Sequence, residues 1–353
     1  MSPRIKSLLN RLKQENLDGL IVSSPANISY LSGFDASDAY LLISNKENIY
    51  FTDSRYTEEA RSKLKGVASL KKINGSVFAL IADTCLKLGL KRIGFEERYM
   101  PYAEYKKIKG LLKTGFYFIP THNLIENQRQ IKDPDEIRKI REALRITGLS
   151  LEFIRDFIKP GLKEIEIAGE LERFIRYNGA IGAAFDIIVA SGPNSAFPHH
   201  KPGPKRIKRN ETVLIDIGVD YFGYKSDLTR VFFLDKIKSL TRSVYGIVLK
   251  AQSKAIEKIK PGVEISRIDA LSRNCIAGKG YAKYFGHSLG HGIGLETHEA
   301  PSISSGNSGI LVPGMVFTVE PAVYLPGRFG IRIEDMVLVT RKGCEVLSVS
   351  IDK

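Results

Sequence analysis

Nowhere in the 353 residues does an apolar run approach the roughly 18 residues of a membrane span, and the opening "MSPRIKSLLNRLKQENLDGLIVSS" has no unbroken apolar stretch of the kind a signal peptide needs. Its apolar positions Ile5, Leu8, Leu9 and Leu12 instead recur at helical spacing among charges, which predicts an amphipathic surface helix. Cysteine is scarce: Cys85, Cys275 and Cys344 are odd in number and show no CxxC spacing. That excludes a disulfide framework and a thiolate metal site, and suits a reducing cytoplasm. Basic residues exceed acidic ones, giving a formal charge of +14, yet they form no tract of five or more and no aromatic-interleaved patch. The expectation is a soluble cytoplasmic protein with a solvated basic surface, and neither nucleic acid nor membrane as partner.

What is present fits two domains, because 353 residues exceed the span of one core and 43% hydrophobic composition can fill two. In the first part strand-like "DGLIVSS", "YLLIS", "NIYFTD" and "KRIGFEE" are interspersed with helix-like "SRYTEEARSKLK", "SVFALIADTCLKLG" and "YMPYAEYKKIKGLLK", the pattern of an α/β domain. Asp133, followed by Pro134 and Glu136, is a helix start. The boundary is placed near Gln128, giving domains 1–128 and 129–353. In the second part "IKPGLKEIEI" and "IKPGVEISRI", about a hundred residues apart, each read as helix end, Pro-Gly turn and new helix. They are compatible with an internal duplication or with a frequent turn.

Two apolar hairpins carry acids where burial is expected. In "VLIDIGVDYFGYKSDLTRVFFL", folding midway between Tyr221 and Phe222 sets Asp216 opposite Asp227. In "MVFTVEPAVYLPGRFGIRIEDMVLV", folding about Gly327 sets Glu320 opposite Glu334. Facing like charges repel, and burying unpaired carboxylates costs several kcal/mol or forces protonation. Converging oxygen donors therefore point to divalent cations. Five of the six histidines lie in "SAFPHHKPG" or in "FGHSLGHGIGLETHE". Two aspartates, two glutamates and an imidazole exceed one closed zinc site and suit a carboxylate-bridged metal pair that activates water for hydrolysis.

"VLIDIGVDYFGYKSDLTRVF", "GHSLGHGIGLETHE", "TVEPAVY" and "IRIEDMVLV" resemble, in order, the signature blocks of the pita-bread metallopeptidases, the family of methionine aminopeptidase, Xaa-Pro aminopeptidase and prolidase. "NISYLSGFDASDAYLLIS", "FTDSRYTEEA" and "IVASGPNSAFPHH" resemble its proline-specific branch. The resemblance implies an α/β (α+β) chain with a C-terminal pita-bread (creatinase/aminopeptidase) fold and a smaller N-terminal creatinase-type α/β domain. It implies Asp216, Asp227, His291, Glu320 and Glu334 as ligands of two divalent metal ions, manganese or cobalt before iron or zinc. Glu320 would also move the proton, His199 and His298 would meet substrate, and Phe185 and Ile188 would line an apolar pocket. His287, Tyr324 and Arg332 would support the ligands. The implied activity is hydrolysis of the bond preceding proline, as an Xaa-Pro dipeptidase or, alternatively, an Xaa-Pro aminopeptidase, by a homodimer acting on proline-containing peptides. An inactive binding protein on the same fold is a remote alternative, disfavoured by the complete ligand set. His200, where relatives often have a small residue, is assigned no catalytic role.

Overall fold

In a computed structural model of the chain, residues 2–34 and 38–352 are described, so positions 35–37 of the block "NISYLSGFDASDAYLLIS" lie outside the described residues. The chain divides into two units, Met1–Arg129 and Gln130–Lys353.

In the first unit, strands β1 (Gly19–Val22), β2 (Tyr40–Ser44), β3 (Ile49–Thr52), β4 (Ser69–Lys72), β5 (Arg92–Glu96) and β6 (Tyr117–Thr121) form one mixed sheet, ordered β4-β3-β2-β1-β5-β6. Its Ile21, Leu42, Ile49, Phe51 and Ile93 pack with Ile81 and Cys85 of helix Val77–Lys87 and Ile108 of helix Tyr102–Leu111. The N-terminal helix Pro3–Gln14 buries Ile5, Leu8 and Leu12, as its spacing predicts. A further helix, Pro25–Ser32, is not apparent from periodicity because it is buried on several sides. Its punctuation is nonetheless in the sequence: Ser24 caps it, Pro25 opens it and Gly33 closes it in the left-handed region at φ 71°.

The second unit opens with helix Pro134–Phe157, whose Asp133 and Glu136 form the reciprocal capping box. Its strands are β7 (Gly182–Ala183), β8 (Ile188–Ser191), β9 (Thr212–Ile217), β10 (Val219–Tyr221), β11 (Tyr224–Lys225), β12 (Leu228–Phe233), β13 (Gly290–Gly292), β14 (Glu299–Ile303), β15 (Val316–Val319), β16 (Ala322–Leu325), β17 (Phe329–Arg332), β18 (Asp335–Val339) and β19 (Cys344–Val346). They build sheets ordered β12-β9-β8 and β14-β13-β15-β18-β19, with smaller sheets β11-β10-β7 and β16-β17. Two apolar cores result, one around Ile215, Val316 and helix Pro134–Phe157, the other around Leu214, Phe317 and helix Ser239–Ile256.

The two Pro-Gly motifs fold alike. Each glycine is left-handed, Gly161 at φ 97° and Gly262 at φ 84°. Each donates its N–H to a later segment, Gly161 to Ile207 and Gly262 to Leu311, both at 2.9 Å. Each also precedes a helix, Glu164–Tyr177 or Ile265–Ala277. The repeated sequence thus builds the same local device twice, once on each core.

Candidate metal centre

The second acidic hairpin has the register its sequence predicts. Ala322 pairs with Arg332 in β16–β17 and Val319 with Asp335 in β15–β18, so one continuous register carries Glu320 opposite Glu334 where the strands leave one sheet for the other. The first hairpin differs. Its turn is centred on Phe222–Gly223, Asp216 pairs with Thr229, and Asp227 lies just before β12, so the aspartates are not directly opposite. The reason is the turn itself: a two-residue hairpin with Phe222 at φ 48° and Gly223 at φ 83° has both central residues left-handed, and glycine supplies the second without strain. The displacement is by two residues, which preserves the face, so both carboxylates still point to the same side.

Those carboxylates and His291 come together. One ligand atom each of Asp227, His291 and Glu334 lie within 4.8 Å of one another. His291 Nε2 is 3.3 Å from Glu320 Oε1 and 3.5 Å from Asp227 Oδ2. Asp216 Oδ2 accepts from Arg332 Nη2 at 2.6 Å. Burial raises the pKa of Asp227 well above the carboxylate range, and the charges of Glu334, Asp216 and Glu320 add to it. Glu334 rises well above its ordinary value too, through burial and then Glu320 and Asp216. Burial alone would also raise Glu320, but its hydrogen bond and charge interaction with His291, with His287 and Arg332 beyond, leave it lowered.

Supporting groups fix these oxygens. Arg332 donates to Asp216, to Tyr324 Oη at 2.6 Å and to Thr229 Oγ1 at 3.0 Å. Thr229 Oγ1 in turn donates to Glu334 Oε2 at 2.8 Å, and Thr318 Oγ1 to Glu320 Oε1 at 3.1 Å. His287 Nε2 lies 3.2 Å from Tyr324 Oη. Sequence reasoning named Arg332, Tyr324 and His287 but missed the two threonines. Each stands two residues from an acid, Thr229 after Asp227 and Thr318 before Glu320, the spacing that puts neighbours on one strand face.

The residues fit divalent cations. Asp216 Oδ1 and Glu334 Oε1 are buried without a hydrogen-bond partner, a condition that an oxygen-seeking ion relieves. A donor set of four carboxylates and one imidazole suits hard or borderline metals. His298 packs against His291 with ring centroids 4.1 Å apart and the rings tilted by 46°. Burial lowers its pKa and the charge of His291 adds to this, against Glu320 and Asp216, which favours the neutral imidazole with one N–H to donate. His199 is exposed. Ile188 faces Asp216 across β8–β9, and Phe185 abuts Gly218, where an added Cβ would lie 2.5 Å from its ring. Asp227, His291, Glu320 and Glu334 thus come together with Asp216 tied in through Arg332, whereas His200 pairs with Glu164.

Two family profiles match the chain: Metallopeptidase family M24 over residues 138–341, and the Creatinase/Prolidase N-terminal domain over residues 4–131. An Xaa-Pro dipeptidase of Pyrococcus horikoshii is 35% identical, covering 99% of this chain and 97% of its own. The solved Xaa-Pro dipeptidase from Bacillus anthracis superposes with a TM-score of 0.95 at 38% identity, covering 99% of this chain and 98% of that one. The X-Pro aminopeptidase from Thermotoga maritima superposes with a TM-score of 0.90 at 37% identity, covering 98% and 97%.

Proposed function

The chain belongs to metallopeptidase family M24, with a creatinase-type N-terminal domain ahead of a pita-bread domain, and from that premise we propose that it hydrolyses the peptide bond preceding proline as an Xaa-Pro dipeptidase. The observation that carries this reading is the full-length likeness to proline-specific enzymes, which extends through the N-terminal unit as well as the carboxylate cage. In this proposal residues 1–128 form the N-terminal domain and 129–353 the catalytic domain, of a cytoplasmic homodimer.

Asp216, Asp227, His291, Glu320 and Glu334 would hold two divalent ions. Bound there, manganese or cobalt would supply a water activated at neutral pH and polarise the scissile carbonyl. Glu320, drawn toward its ionised form by His291, accepts the proton from the attacking water and delivers it to the departing proline nitrogen. Neutral His298 donates its N–H to the oxygen on which negative charge develops. His199 holds the carboxyl side of proline, and Phe185 and Ile188 give its ring an apolar wall. The arginine–tyrosine–threonine network keeps Asp216 and Glu334 oriented, so the carboxylates need not reorganise during the reaction.

The likeness to the Thermotoga maritima X-Pro aminopeptidase supports a second reading, removal of the first residue from longer Xaa-Pro peptides. Turnover of Xaa-Pro dipeptides is compared with that of Xaa-Pro-Xaa peptides at equal metal loading. Preference for the dipeptide supports the first reading, and preference for the longer peptide replaces it with the second.

A further inference from the structure

The adjacent histidines of "PHHKPG" differ in their surroundings. His199 is exposed, while the His200 side chain is only 16% exposed and its Nε2 lies 2.8 Å from Glu164 Oε2. Glu164 is the first residue of helix Glu164–Tyr177 and is wholly buried. Its carboxylate also accepts from Ser191 N at 2.8 Å, Ser191 Oγ at 2.7 Å and Asn194 Nδ2 at 3.0 and 3.1 Å. A buried carboxylate with this many fixed donors, at the positive end of a helix, is a rigid anchor. Burial opposes its charge, but His200 and the serine and asparagine donors leave its pKa below the ordinary value.

The segment on either side is independently clamped. Ser195 Oγ donates to Gly192 O and accepts from Gly330 N, at 2.7 and 2.8 Å. An added Cβ on Gly330 would lie 1.9 Å from Ser195 O, so this turn and β17 are in direct backbone contact. Downstream, Ile165 N donates to Gly203 O and Glu164 N to Lys205 O, both at 3.1 Å. Among the described residues, the side-chain hydrogen bonds tying 197–202 to the rest are that of His200 Nε2 with Glu164, with Asn194 Nδ2 3.3 Å from the same nitrogen, and that of Arg332 with Pro198 O at 3.4 Å. His199 makes none of these bonds itself. Its direction is therefore set by the residues beside it.

We infer that His200 is a positioning residue, whose hydrogen bond to the buried Glu164 carboxylate holds the turn at 197–200 so that His199 faces the substrate. This rests on the reading of His199 as a substrate-binding residue. His200 contacts no reacting atom; it reduces the number of loop conformations in which His199 is misplaced. Losing it weakens substrate capture and leaves the chemical step alone.

The test is steady-state kinetics of the metal-loaded enzyme on an Xaa-Pro dipeptide. His200→Ala is expected to raise KM about tenfold with kcat changed less than about twofold, as befits the loss of one hydrogen bond to a charged group. His200→Gln, which can donate the same bond, restores KM to within about threefold. In the His199→Ala background, His200→Ala adds no further effect, because it acts through the residue already removed. Should His200→Ala not fold, His200→Leu, which fills the space without the bond, takes its place in the cycle. A normal KM in the truncated variant, a fall in kcat instead, failure of glutamine to rescue, or full additivity with His199→Ala overturns the inference while His199 keeps its role. Wild-type kinetics for His199→Ala, or no Xaa-Pro turnover by the parent enzyme, overturns both.

Discussion

Replacing Lys132 by methionine tests how the histidine-bearing turn is held. Lys132 Nζ lies 2.6 Å from Glu299 Oε1, with side chains only 1% and 5% exposed. Glu299 folds into the turn that follows His291, so closely that an added Cβ on Gly294 would lie 2.6 Å from Glu299 Oε1. His298, the residue before it, rests on His291. Methionine preserves most of the stem's packing and removes the charge, leaving a buried carboxylate without its ammonium. Breaking a buried pair from one side costs about 3–5 kcal/mol. Lys132→Met should lower the stability of the unit Gln130–Lys353 by that amount, whereas Lys132→Met with Glu299→Gln should recover at least half of it. The chain has no tryptophan, so urea unfolding is followed by far-ultraviolet circular dichroism. A loss below about 1 kcal/mol, or a double variant no more stable than the single, would refute the reasoning.

Glu320→Gln should retain metal and lose activity by about a hundredfold or more, measured as kcat on an Xaa-Pro dipeptide beside the metal content, because the amide cannot accept the proton. Arg273 donates to Asp269 and to the carbonyls of Phe285 and His287, so Arg273→Met should destabilise the second unit by about 2–3 kcal/mol in the same unfolding assay. In the first unit, burial lifts Glu96 from 4.5 to about 7, against the hydrogen bonds from Asn27, Ser24 and Ser23. Between those two values the folded form holds the proton that the unfolded form releases, so stability falls as pH rises through the window, and urea titrations should show a shallower slope for Glu96→Gln.

Both acidic hairpins were legible because carboxylates in an apolar alternating strand contradict their surroundings, and that contradiction does not depend on detailed geometry. The LPGR turn fixed one register correctly, since Gly327 at φ 73° stands where the chain must reverse. The other register slipped by two because Phe222, an aromatic residue, adopts a left-handed conformation that favours glycine or asparagine. Helix Pro25–Ser32 was marked by its caps and hidden by its lack of a polar face. Supports drawn from distant segments were the least visible. Glu164 meets His200 across 36 positions and Lys132 meets Glu299 across 167, and no local pattern announces such pairs.

The most direct measurement is peptide turnover by the protein stripped of metal with a chelator and then reloaded. The stripped enzyme should leave an Xaa-Pro dipeptide intact, and manganese or cobalt should restore cleavage to the free amino acid and proline, with two ions bound per chain. Undiminished cleavage after stripping, or a reloaded protein inert on Xaa-Pro dipeptides and Xaa-Pro-Xaa peptides alike, would contradict the account.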